Sequence, residues 1–144
     1  MKSLKPMPLV NVATACEKVL IEKDNVVSAI RIVDVFNVVP PPIPLPAEVG
    51  LQMTALIVLR AGDFRGEAEI SIAIVTPDGQ RQNVPEKWPM LFQEENTGGN
   101  LVFNFAMAVR HIGLSWVEVM CDGVLLTKFP IMLQQAPKPS GQLN

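Results

Sequence analysis

The 144-residue sequence has no tyrosine, a single histidine at position 111, two cysteines, and charged side chains at only 18% of positions. Each shortage removes a kind of chemistry. With His111 alone, no metal centre that needs a histidine pair can form. As a general base His111 would need a nucleophile and an orienting carboxylate brought from elsewhere, and no nucleophile elbow is present. Arg110-His111, just before Gly113, instead reads as a strand end reaching solvent. Cys16 and Cys121 lie far apart in a chain without an export signal, which favours two reduced, buried thiols over a disulfide between the first and penultimate strands. The net charge is −2, with basic residues scattered singly. A phosphate backbone needs a clustered positive footprint, so a nucleic-acid partner is not expected.

Long apolar runs are missing too. The longest candidates, such as Met53 to Leu59, are strand-sized and far short of the roughly 20 residues that cross a bilayer. Met1 to Leu9 is interrupted by Pro6 and Pro8 and has no apolar core followed by a cleavage site. No membrane partner is expected, and a soluble, cytoplasmic chain is. Gly62-Asp63-Phe64-Arg65-Gly66 has the glycines of a tight loop without the lysine or the following helix that would cradle phosphate. No cofactor is implied. Asp24, Asp63, Asp78 and Asp122 all flank turns, where aspartate caps backbone amides; a calcium site would need them gathered at one end of the fold.

What is abundant is short Val- and Ile-rich runs separated by turn residues, with no sustained helical periodicity. Leu9 to Ile21 reads as a long strand, turned at Lys23-Asp24-Asn25 and paired with Val26 to Val39. Pro40-Pro41-Pro42-Ile43-Pro44-Leu45-Pro46 ends that strand and reads as a stiff crossover. Met53 to Arg60 is apolar on both faces, which predicts a central strand. Glu67 to Thr76 alternates Ala68, Ile70, Ile72 and Ile74 with polar or small residues and closes at Pro77-Asp78-Gly79. Arg81 to Val84 is expected to be a short edge strand, and Pro85 to Gly99 an irregular connection whose large apolar residues plug an open end. Leu101 to Val109 is the next strand. In Gly113 to Leu133, two alternating runs flank Asp122-Gly123, the signature of a type I′ hairpin. The expectation is an all-β fold: a two-sheet antiparallel β-sandwich of about seven to eight strands. It spans residues 9–135, after an N-terminal extension (1–8) and before a polar tail (136–144).

The order of these features is familiar: Cys16-Glu17-Lys18 leading to Val33-Asp34-Val35-Phe36, the central Thr76-Pro77-Asp78-Gly79, and the closing Gly113 to Asp122-Gly123 hairpin with Phe129-Pro130-Ile131. On these residues the chain resembles a family of small bacterial proteins of unassigned function, whose members look like stand-alone immunoglobulin-like or C2-like β-sandwiches. The resemblance implies a fold and carries over no catalytic residue. That pattern has an aromatic two residues after the closing glycine, whereas here Ser115 stands there and Trp116 follows.

Two candidate surfaces remain. Leu114, Trp116 and Met120 alternate with the core-facing valines of the hairpin, so a partner could bury them as an interface. The loop region of Trp88, Phe92, Asn96 and Asn100 could take a small ligand or carbohydrate, with Trp88 as a stacking platform. The expected function is a non-enzymatic protein-interaction or assembly module, acting on a protein partner or a second copy. The alternative is a ligand-binding module.

Overall fold

The computed structural model describes residues 6–38, 50–108 and 112–135, and every described element is a β-strand. The proline-rich crossover at 40–46, Arg110-His111 and the tail at 136–144 lie outside the described residues. In chain order the strands are β1 (Leu9–Ile21), β2 (Val27–Ile32), β3 (Val35–Val38), β4 (Gly50–Arg60), β5 (Gly66–Val75), β6 (Arg81–Phe92), β7 (Gly98–Ala108), β8 (Gly113–Cys121) and β9 (Val124–Gln135). They form a four-stranded sheet, β2-β1-β4-β7, and a five-stranded sheet, β3-β9-β8-β5-β6.

Period-two patterning builds the layer between the sheets. From β4 come Met53, Ala55, Ile57 and Leu59, and from β5 Ala68, Ile70 and Ile72. Val117, Val119 and Cys121 on β8 meet Phe129, Ile131 and Leu133 on β9. Successive side chains on a strand point to opposite faces, so this one set fixes what every strand presents outside. β4 is central to its sheet, as its composition predicts, and its opposite face carries Thr54, Leu56 and Val58, flanked by Val12 and Thr14 of β1 and by Val102 and Asn104 of β7. At the β8–β9 turn, Asp122 (φ 49°) and Gly123 (φ 82°) both occupy the left-handed region that a type I′ turn demands. Asp122 also ties the hairpin to β5: its Oδ1 accepts the Glu69 N–H at 2.9 Å, and its own N–H donates to the Glu69 carbonyl at 2.9 Å.

The structure corrects the expected architecture in three places. First, the sandwich is not purely antiparallel, because β3 pairs in parallel with β9, Val35 opposite Met132. Second, the single strand expected over Val26 to Val39 is two strands in different sheets, so the described residues hold nine strands rather than seven or eight. Its break follows Arg31, whose φ of 54° lies in the left-handed region. Such a backbone is costly for a residue with a Cβ and kinks the strand, and the chain then leaves β1 for β9. Third, β6 continues through Pro85 and Pro89 to Phe92. Proline is tolerated there because β6 is an edge strand, where a missing N–H can face outward.

The same rule explains Pro130. The Met132 N–H points to the β3 side of β9, donating to the Asp34 carbonyl at 2.8 Å, so position 130, two residues earlier, faces the same edge. β3 reaches only Met132 to Gln135, leaving the earlier part of β9 uncovered. A proline and then Lys128 on that stretch blunt it against further strand pairing.

Ser115 faces the core at 0% exposure, and its Oγ has no hydrogen-bond partner among the described residues. Desolvating a hydroxyl without a partner costs about 1–3 kcal/mol. Ser115→Ala is therefore expected to raise stability by about 1 kcal/mol in urea unfolding, whereas Ile72→Ala, which opens a cavity in the same layer, should lower it by about 2–5 kcal/mol.

Candidate functional sites

The outer face of the five-stranded sheet is ordered in transverse rows. Cross-strand pairing sets Val35, Met132 and Leu114 side by side across β3, β9 and β8. The next row is Pro130, Trp116 and Val75 across β9, β8 and β5. Val35 and Leu114 are each 39% exposed, although aliphatic. Trp116 is half-buried, and the Lys128 ammonium stands over its ring, 4.6 Å from the centroid. The following row is charged: Lys128 lies opposite Glu118 in the pairing, and Arg81 Nη1 lies 3.1 Å from Glu118 Oε1. On the other side, Gln134 Nε2 donates to Asn37 Oδ1 at 2.9 Å. An apolar centre bounded by charged side chains and a pair of amides has the anatomy of a docking surface.

Of the three interface residues expected from sequence, this face unites Leu114 and Trp116. Met120 shares this face by alternation but lies beyond the charged row of Lys128 and Glu118, where it is buried and its Sδ accepts from Arg81 Nη2 at 3.3 Å. Sequence reasoning missed Val35, Met132, Pro130 and Val75. Hairpin alternation could have added Pro130 and Met132. Val35 was out of reach because only the parallel β3–β9 pairing brings it there.

The second expected group divides. Trp88 and Phe92 point inward from β6: Trp88 meets the Phe103 ring edge-on at 5.5 Å, and Phe92 meets Phe64 edge-on at 5.3 Å. Asn96 and Asn100 instead line an open cleft of about 350 Å³ with Arg60, Thr97, Gly98 and Gly99. The cleft forms where two crossovers between the sheets, 61–65 and 93–97, run together. The Ala61 N–H donates to the Thr97 carbonyl at 2.7 Å and the Gly62 N–H to the Glu95 carbonyl at 2.9 Å. Thr97 Oγ1 accepts from the Gln93 and Glu94 amides at 2.9 Å each and donates to the Glu94 carbonyl at 2.7 Å. Gly98 has no alternative residue here, since a Cβ would stand 2.0 Å from the Leu59 carbonyl oxygen.

The turn aspartates do not converge. Asp24 follows β1 and Asp63 follows β4, and those strands are antiparallel, so the two lie at opposite ends of their sheet; Asp78 and Asp122, after antiparallel β5 and β8, are separated likewise. Asp24 Oδ1 accepts the Val26 amide, and Asp78 Oδ1 the Thr76 hydroxyl. Among the described residues no three His, Cys, Asp or Glu side chains gather as a metal site, and no helix is long and apolar enough to cross a membrane.

Comparison with known proteins bears on the fold. No family model matches the sequence, and no curated protein matches it. Among solved structures, the chain is similar to Pseudomonas fluorescens alkylpurine DNA glycosylase AlkC bound to DNA containing an abasic site analog, with 12% identity and a TM-score of 0.56. The match covers 91% of this chain and 31% of the glycosylase, so this chain spans about a third of that protein's length. At this identity the likeness shows the fold alone. It nonetheless corrects two expectations. The lack of a basic cluster does not exclude nucleic acid, nor the lack of a catalytic constellation an enzyme, since a sandwich of this shape occurs within an enzyme described as bound to DNA. Those exclusions rested on composition and motif counts, which cannot see what a module contributes to a larger assembly.

Both cysteines are free and buried. Burial raises the Cys16 pKa above its ordinary 9.0, against a smaller lowering by a backbone hydrogen bond of Lys18; burial also raises that of Cys121, with the Asp122 charge adding to the shift. A folded-state pKa above the unfolded one stabilises the protein below the unfolded thiol pKa, and that contribution is lost as pH rises through the folded value. Both thiols should resist a thiol reagent in the native protein and react in denaturant, and stability should fall as pH rises beyond about 9. Rapid native labelling of either would contradict the placement.

Proposed function

We propose that this protein is a cytoplasmic protein-interaction or assembly module of immunoglobulin-like or C2-like type, docking through the outer face of its five-stranded sheet. The supporting observation is the pair of rows Val35-Met132-Leu114 and Pro130-Trp116-Val75, apolar at the centre and ringed by Lys128, Glu118 and Arg81. Burying Trp116 and Leu114 together would contribute several kcal/mol, at about 25 cal/mol per Å² of apolar area. Tryptophan is enriched among residues that dominate binding energy. The partner is another protein surface or a second copy of the chain.

A photo-crosslinking amino acid at Met132, in the full chain within a lysate of the source organism, tests this. One discrete adduct is expected, lost on Trp116→Ala while the melting temperature changes little, and absent when the crosslinker sits at exposed Ile32 on the other sheet. Mass spectrometry then separates a second copy from a different protein. No adduct, or the same adducts from both positions, would overturn the reading.

A second reading, favoured by the DNA-bound glycosylase, is that the sandwich serves as one part of a nucleic-acid-processing assembly. Fluorescence anisotropy with a duplex containing an abasic site, at low and physiological salt, is its test. Binding that weakens with added salt is expected; no binding at low salt would remove it.

A further inference from the structure

The cleft at the two crossovers has features the docking face does not use. Arg60 is its only cationic lining residue. Among the described residues Arg60 has no ion pair; its one hydrogen bond runs from Nη1 to the neighbouring Leu59 carbonyl, at 2.7 Å. The other guanidinium N–H groups are therefore available. Asn96 and Asn100 are exposed beside it, and neither side chain has a hydrogen-bond partner among the described residues. The floor between them is Gly98-Gly99, which contributes no side chain, and at Gly98 none could fit.

The frame is also rigid. Thr97 locks its own turn with three hydrogen bonds, and the Ala61 and Gly62 amides fasten that turn to the neighbouring crossover. The backbone that carries Asn96 and Asn100 is thus fixed before a ligand arrives, which lowers the ordering cost of binding. A guanidinium fork beside two carboxamide NH₂ groups matches the geometry of an oxyanion.

We propose that this cleft binds a single oxyanion, a phosphate or carboxylate group on a small molecule, with Arg60 as the charged anchor and Asn96 and Asn100 as orienting donors. Glu94 and Glu95, exposed on the same loop, set the size class. Their charges repel every added negative unit of an extended polyanion, so a compact anion with few charges, held by Arg60, meets the least repulsion. The cleft shares no lining residue with the docking face.

The test is a titration of the ¹⁵N-labelled full chain with inorganic phosphate and, separately, acetate, at constant ionic strength held with chloride. Saturable shifts are expected at the Asn96 and Asn100 side-chain amides and the Gly98 and Gly99 backbone amides. The tighter of the two anions identifies the ligand class. Arg60→Gln should weaken binding at least about tenfold, the scale of one charged hydrogen bond. Asn100→Ala, at an exposed strand position, should weaken it less and serves as the second variant if Arg60→Gln does not keep wild-type signal dispersion. Shifts that never saturate, that spread to Lys87 and Lys128, or that are unchanged in the folded variants would overturn the proposal.

Discussion

The structure depends on one constraint: the aliphatic layer between two sheets must be filled by every second residue of nearly every strand. Ile57 and Leu59 on one side, and Ile70, Ile72, Val117, Val119, Ile131 and Leu133 on the other, are each almost inaccessible to water. Once those positions are fixed, the pleat dictates the rest. Trp116 faces outward because Ser115 and Val117 face inward. Leu56 and Val58 cannot join the layer because Ile57 and Leu59 do. The two outer faces are therefore by-products of the core register, and their apolar content is what the low overall charge of the sequence looks like in three dimensions.

Much of this was legible in the sequence. β1 runs over the residues its Val-rich pattern implies, β5 shows the expected alternation, and Asp122-Gly123 makes the expected turn. What failed has a common physical origin. Arg31 carries no local signal that it will adopt a left-handed backbone, so the division into β2 and β3 was hidden. Pro85 and Pro89 signal a broken strand unless the strand is known to be an edge, and edge position is a property of the whole sheet. Leu114 and Trp116 could be placed on an outward face from alternation alone. Their neighbours Val35 and Val75 come from strands remote in sequence, and no local pattern predicts such adjacency.

The two candidate sites draw on different parts of this geometry. The docking face depends on strand register, since a slip of one residue would send Trp116 inward and Ser115 out. The cleft depends on the crossovers, where hydrogen bonds between 61–62 and 95–97 hold polar groups that no sheet ladder holds. Neither site requires the other. A β-sandwich can thus carry a protein contact on a flat face and a small polar recess at a corner, and it can be joined to larger catalytic chains, as the likeness to part of a DNA glycosylase illustrates.

The parallel seam between β3 and β9 ties together residues as far apart as Asn37 and Gln134, 97 positions along the chain. Closing contacts of such long separation costs chain entropy before they are rewarded, which slows folding. The N-terminal hairpin must therefore wait for the final strand before the seam closes. Among the described residues a short ladder of four residue pairs, the packing of Phe36 on the core and the Asn37–Gln134 bond fasten β3, so one brief seam joins the start of the chain to its last strand.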